Sequence, residues 1–190
     1  YKRQDYGTAD QDCYALVTAF DGYNATLYPM TADLSPATGH AVTGRVLALA
    51  NTSGKVAGSA FTVIGCDVLI NGEVVATTGA DGVFTIPSLA AGTYTATLSY
   101  AYGYDRDIQI TVADTDVDLG TYGMVVCNFK KDAAINGTDF NVYKRCTGKS
   151  KSDSTYNSAC DFNHDGAVNG TDYNIYKAFS GKMLSAEIYN

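Results

Sequence analysis

Between Asp161 and Asp172, oxygen donors recur at every second position: Asp161, Asn163, Asp165, then the backbone carbonyl of Ala167, then Asn169, with Asp172 closing the set at the twelfth residue. Donors two residues apart turn inward together when a chain wraps a hard cation, and calcium takes six to eight oxygens in such a flexible cage. Gly166 follows the third donor, where the sharp turn favours positive φ, and Val168 is placed to anchor the segment in a core. The chemistry expected here is calcium ligation.

The segment is half of a repeat. Ile135–Lys144 (INGTDFNVYK) aligns with Val168–Lys177 (VNGTDYNIYK), each position matching or changing conservatively. The donor spacing is that of an EF-hand loop, and the same register in the first copy selects Asn128, Asp132, the Ala134 carbonyl, Asn136 and Asp139. Lys130 stands where an oxygen belongs. An ammonium group only donates hydrogen bonds, so this loop must take in a water, shift its register, or use Lys130 as an internal counter-charge. Ala133 replaces the turn glycine, at about 1 kcal/mol if the left-handed conformation is kept. Metal in this copy is left open, and weaker than in the second because fewer carboxylates face the ion.

These loops must be held by neighbouring elements. Phe140, Val142, Tyr143 and Cys146 follow the first loop and Tyr173, Ile175, Tyr176 and Phe179 the second, both at helical spacing, which predicts two short helices. Residues 12–123 read instead as short β-rich runs punctuated by Gly, Asn and Asp, among them Val42–Leu49, Cys66–Ile70, Val74–Thr78, Val83–Ile86, Thr93–Ser99 and Ile108–Val112. Asn71-Gly72 and Asp81-Gly82 are turns of the type that joins antiparallel strands. A small antiparallel sandwich is expected. Further strands at Cys13–Phe20 and Ala25–Tyr28 precede a Ser35–Gly39 segment that reads as a boundary, giving residues 1–39 as an extension, 40–124 as the sandwich and 125–190 as the helical module.

Composition narrows the function. A net charge of −7 over 190 residues, carried almost entirely by Asp, excludes a phosphate-binding surface and hence a nucleic-acid partner. No run of about 18 apolar residues is present, so membrane insertion is not expected. The chain starts at Tyr1 without a charged-then-apolar leader and reads as a mature or excised fragment. No nucleophile elbow, phosphate loop or zinc-protease motif occurs, and the clustered carboxylates are committed to the loops, so no catalytic residue is assigned. The five cysteines fit neither a paired scaffold nor a zinc site and are expected to be small buried residues. Cys146 and Cys160 approach one another if the two helices run antiparallel, and a disulfide there is a hypothesis. His164, at an outward-pointing loop position, is expected to be solvated. Tyr100, Tyr102 and Tyr104 are either a sugar platform or half-buried packing between modules.

Two calcium-type loops, each followed by a single helix and ending in Asp, resemble the duplicated dockerin module of cellulosomes. The resemblance covers about residues 125–182 and is most specific over Asp161–Lys177. It implies a calcium-dependent, non-catalytic docking module that binds a cohesin domain. Its contact residues, carried over by position, are Gly137, Thr138, Lys144 and Arg145 in the first copy and Gly170, Thr171, Lys177 and Ala178 in the second. The preceding block, through Val42-Thr43-Gly44-Arg45-Val46, Cys66–Ile70, Thr77–Phe84 and Gly92-Thr93-Tyr94, is similar to the carboxypeptidase-regulatory-like (prealbumin-like) sandwich and to the X-module that precedes scaffoldin dockerins. That order implies an X-module stiffening the dockerin, in a secreted or cell-surface protein of an anaerobic bacterium that meets polysaccharide only indirectly. A polysaccharide-binding sandwich carried by a dockerin-tailed enzyme or surface protein is the alternative. The near-identity of the copies suggests that either helix can take the dominant docking role after a half-turn of the module.

Overall fold

A computed structural model describes residues 39–189. The expected strands at Cys13–Phe20 and Ala25–Tyr28, the Ser35–Gly39 boundary except its last residue, and Cys13 itself lie outside them.

Seven strands build the sandwich: β1 (His40–Ala48), β2 (Asp67–Ile70), β3 (Glu73–Thr77), β4 (Val83–Leu89), β5 (Gly92–Ser99), β6 (Arg106–Val112) and β7 (Val117–Met124). One sheet has the order β4-β1-β7 and the other β3-β2-β5-β6. Alternation decides which face each strand buries. In β6, Ile108, Ile110 and Val112 are buried while Asp107, Gln109 and Thr111 are exposed. Val42 and Val46 of β1, Val68 of β2, Phe84 and Ile86 of β4, and Ala96 and Leu98 of β5 complete the filling.

Two features depart from the expected antiparallel hairpins. Strand β7 pairs parallel with β1, Val42 facing Val117 and Ala48 facing Met124. Its alternation is broken at Gly120-Thr121, both exposed, so the sequence carries little strand signal there. Asn71-Gly72 is a two-residue hairpin turn with φ of 54° and 84° between the partners Ile70 and Glu73. Asp81-Gly82 is not a hairpin, since β3 and β4 lie in different sheets and the turn carries the chain across the sandwich. Gly82 has φ 74°, and a Cβ there would stand 2.6 Å from the Val46 carbonyl, so both conformation and space require glycine.

The C-terminal part holds two ten-residue helices, α1 (Gly137–Cys146) and α2 (Gly170–Phe179). Each starts in a capping box: Asn136 with Asp139, and Asn169 with Asp172, so a loop's ninth and twelfth residues are also the N-cap and N3 of the helix that follows. A two-stranded clasp, β8 (Ala134–Ile135) with β9 (Lys182–Met183), closes this part, and 3-10 turns occupy Ser158–Cys160 and Ala186–Tyr189. Val125, Val126, Cys127, Ile135, Tyr143, Phe162, Val168 and Phe179 belong to the same connected buried cluster as the sandwich interior.

Candidate metal centre and docking face

In the second loop Asp161 is fully buried. Its Oδ2 accepts hydrogen bonds from the Tyr156 hydroxyl at 2.6 Å and the Gly166 amide at 2.8 Å, while its Oδ1 has no partner. Among the described residues it is the only buried side-chain nitrogen or oxygen so left. A buried carboxylate oxygen without a partner costs roughly 1–3 kcal/mol or more. A cation in the loop would remove that cost, so Asp161 fits calcium, although among the described residues no three His, Cys, Asp or Glu side chains are drawn together as a metal cluster. Around it, Asp165 Oδ1 accepts from the Ala167 amide at 2.9 Å and Oδ2 from the Asn163 side-chain amide at 2.9 Å. Asp172 receives the Phe162 amide at 2.7 Å and the Asn169 amide at 2.9 Å. Burial pushes the Asp172 carboxyl above its ordinary range, those amides opposing it and the nearby Asp161 adding to it. Gly166 turns the loop with φ 93°.

The first loop is satisfied from within. Asn128 is buried, its Nδ2 donating to the Asp132 carbonyl at 2.7 Å and its Oδ1 accepting the Asp132 amide at 3.2 Å. Asp139 accepts the Lys130 amide at 3.1 Å and the Asn136 amide at 3.0 Å, and Asp132 Oδ1 accepts the Ala134 amide at 2.9 Å. The left-handed residue is Lys131, with φ 55°, and not Ala133, so the strain expected at Ala133 is avoided. Lys130 is exposed.

The two helices are related by reciprocal contacts. The Tyr143 hydroxyl of α1 donates to the Asn169 carbonyl at the start of α2 (3.0 Å), and the Tyr176 hydroxyl of α2 donates to the Asn136 carbonyl at the start of α1 (3.3 Å). Each helix therefore ends beside the other's beginning, an antiparallel pair. Phe140 packs on Tyr176 with ring centroids 5.5 Å apart, and Tyr173 packs on Tyr143 at 6.0 Å. Phe140 and Tyr173 nevertheless keep 36% and 41% of their surface exposed, uncommon for large rings on so small a body. Beside them Gly137, Thr138, Lys144 and Arg145 of α1, and Gly170, Thr171 and Lys177 of α2, are exposed, and Ala178 is half-buried. The antiparallel arrangement also brings Cys146 Sγ and Cys160 Sγ to 2.9 Å. All four described cysteines are buried thiols.

Sequence reasoning missed the residues that join the two parts. His164, expected in solvent, holds φ 57° and sets its Nε2 2.9 Å from the Thr62 carbonyl of the sandwich. Lys131 Nζ reaches Asp105 Oδ1 and the Tyr100 carbonyl, both at 2.6 Å. Both residues are fourth in their loops. The guanidinium of Arg106 lies over the Tyr122 and Tyr189 rings at 5.1 and 4.9 Å, and the Tyr189 hydroxyl donates to the Tyr104 carbonyl. Tyr102 meets Tyr100 edge-on at 5.7 Å and Phe129 at 5.8 Å. The Tyr100–Tyr104 segment is thus a contact between modules, the packing alternative that the sequence offered.

Residues 129–179 match the family model described as the dockerin type I domain. A chain from a C-terminal interface mutant of the type II cohesin–X–dockerin complex of Acetivibrio cellulolyticus superposes with a TM-score of 0.59 and 28% identity, over 76% of this chain and 97% of that one. Residues 129–179 are thus a dockerin-type module, and the chain as a whole is similar to an X-module–dockerin dyad. An N-terminal interface mutant of the same complex gives a TM-score of 0.57 at 27% identity, again over 76% of this chain and 97% of that chain. No curated protein sequence matched. The segment matched to the dockerin model, from a family that is generally calcium-binding, holds both helices and the whole of the second loop.

Proposed function

We propose that the dyad is a non-catalytic adaptor: its dockerin binds a cohesin domain, calcium in the loop Asp161–Asp172 is needed for that binding, and the X-module braces the dockerin. The observation that carries the reading is the duplicated exposed set, Thr138, Phe140 and Lys144 on α1 and Thr171, Tyr173 and Lys177 on α2, standing over the buried Tyr143, Tyr176 and Phe179. An exposed aromatic ring flanked by hydroxyl and ammonium donors has the composition of an interface centre and its rim. Similar chains occur in complexes with type II cohesin, which supports the choice of partner.

Calcium bound among Asp161, Asn163, Asp165, the Ala167 carbonyl, Asn169 and Asp172 would neutralise three carboxylates and supply the missing partner of Asp161 Oδ1. The ninth and twelfth residues cap α2, so ordering the loop also orders the helix that bears Thr171 and Lys177. The bracing is supported by the Lys131 and His164 bonds to the sandwich and by a buried cluster that runs through both modules. The natural setting of such an adaptor is a secreted or cell-surface complex of an anaerobic bacterium that degrades polysaccharide. Direct polysaccharide binding by the sandwich is disfavoured, because Tyr100, Tyr102 and Tyr104 are engaged in packing against one another and the dockerin.

A pull-down of the full chain against a panel of cohesins, with calcium and with a chelator, tests partner and metal together. Capture by at least one cohesin in calcium and its loss in chelator is expected. Capture that is indifferent to chelation would remove the calcium requirement, and no capture across the panel would remove the adaptor reading.

A further inference from the structure

The two loops lie 33 residues apart in register, share a left-handed fourth residue, and are held by different chemistry. Residues 161–172 carry three Asp and, with His164 neutral, a formal charge of −3. Residues 128–139 carry Asp132 and Asp139 against Lys130 and Lys131, a formal charge of zero. A dication is drawn to the first total and gains nothing from the second.

Geometry points the same way. Asp161 opens the second loop with one oxygen lacking any partner, whereas its counterpart Asn128 spends both ends of its amide on the backbone of Asp132, closing the first residue of the loop onto the fifth. A carboxylate cannot make that bridge, since it has no proton to donate. The third place holds Asn163 in one loop and the exposed Lys130 in the other. At the sixth, Gly166 uses a left-handed turn that Ala133 does not adopt. Asp139 and Asp172 are alike, each accepting two backbone amides, but no buried polar side-chain atom of the first loop is left without a partner.

We infer that this dockerin takes a single calcium ion, in the second loop, and that the first loop is closed without metal by the Asn128 amide bridge and pinned to the X-module by Lys131; the inference about number rests on the calcium reading of the second loop. Lys131 makes the pin through Asp105 and the Tyr100 carbonyl, and Asn128 adds its own backbone amide to the Tyr102 carbonyl at 2.8 Å. The amide bridge and the Lys131 pin together order the first loop with groups of this chain alone.

Calorimetric titration of the chelator-stripped full chain with calcium chloride, read beside native mass spectrometry, is expected to give one ion per chain. Asp161→Ala should weaken that binding at least about 100-fold and Asp132→Ala less than about threefold, since only the former removes a carboxylate from the ion. Lys131→Met should lower the melting temperature while leaving the count at one. Two ions per chain would overturn the metal-free first loop and leave the second-loop reading standing; none would overturn the second-loop reading itself. A single ion lost in Asp132→Ala but kept in Asp161→Ala would place it in the wrong loop and overturn the assignment. Should Asp161→Ala fail to fold, the count on the unaltered chain decides by itself.

Discussion

Tyr143 and Tyr176 lie with ring centroids 5.5 Å apart and planes 13° from parallel, each hydroxyl bonded to the cap carbonyl of the opposite helix. They are equivalent residues of the two repeats, so the pair marks an approximate two-fold axis through the dockerin. A half-turn about it exchanges Thr138 and Lys144 with Thr171 and Lys177. Substituting either pair with alanine is expected to weaken cohesin binding less than about tenfold, while substituting all four abolishes it, because interface energy concentrates in a few central residues. Surface-bound cohesin binding measured for the three variants checks this. Loss of binding from one pair alone would show that only one orientation is used.

His164 ties the second loop to the X-module across 102 residues of sequence through the Thr62 carbonyl. His164→Asn keeps a residue tolerant of φ near 57° but is too short to reach Thr62. The lost bond should destabilise the dyad by about 1 kcal/mol, a fall of about 2–4 °C in melting temperature. Scanning calorimetry in saturating calcium reads it, and an unchanged transition would mean the bond is not made in solution.

Cys146 and Cys160, with Sγ atoms 2.9 Å apart, are placed for a crosslink between the end of α1 and the start of the second loop. Refolding in oxidised glutathione should convert the two thiols to one disulfide, releasing two reduced glutathiones and two fewer hydrogens in the intact mass. Closing a loop of this length is worth about 3 kcal/mol in the chain-entropy account. Complete alkylation of both thiols after such refolding, without reductant, would exclude the bond.

Burial pushes the Cys66 thiol from 9.0 up to about 12, with the adjacent Asp67 adding to the rise. The raised value means that the unfolded thiol ionises first. Its contribution to stability is therefore full below pH 9 and declines as pH rises from there toward 12. Urea midpoints should fall more steeply above pH 9 in the native chain than in Cys66→Ala. Equal slopes would show that the thiol ionises freely in the fold.

The donor spacing of Asp161–Asp172, the repeat that doubles it, the two helices and most strands were legible in the chain because each is a local pattern. Alternation reports a buried strand face, and apolar residues at helical spacing report a helix, whatever lies elsewhere. Strand β7 was not legible, since its parallel place beside β1 depends on where the chain returns. The same holds for His164 and Lys131, fourth in their loops and polar, which look solvated until the sandwich is set against them. Residue types and spacing thus specified the repeated loops and the helix that follows each. Only the tertiary structure decided that Asp161 keeps an unsatisfied oxygen while Asn128 does not, because hydrogen-bond saturation depends on what burial brings within about 3 Å.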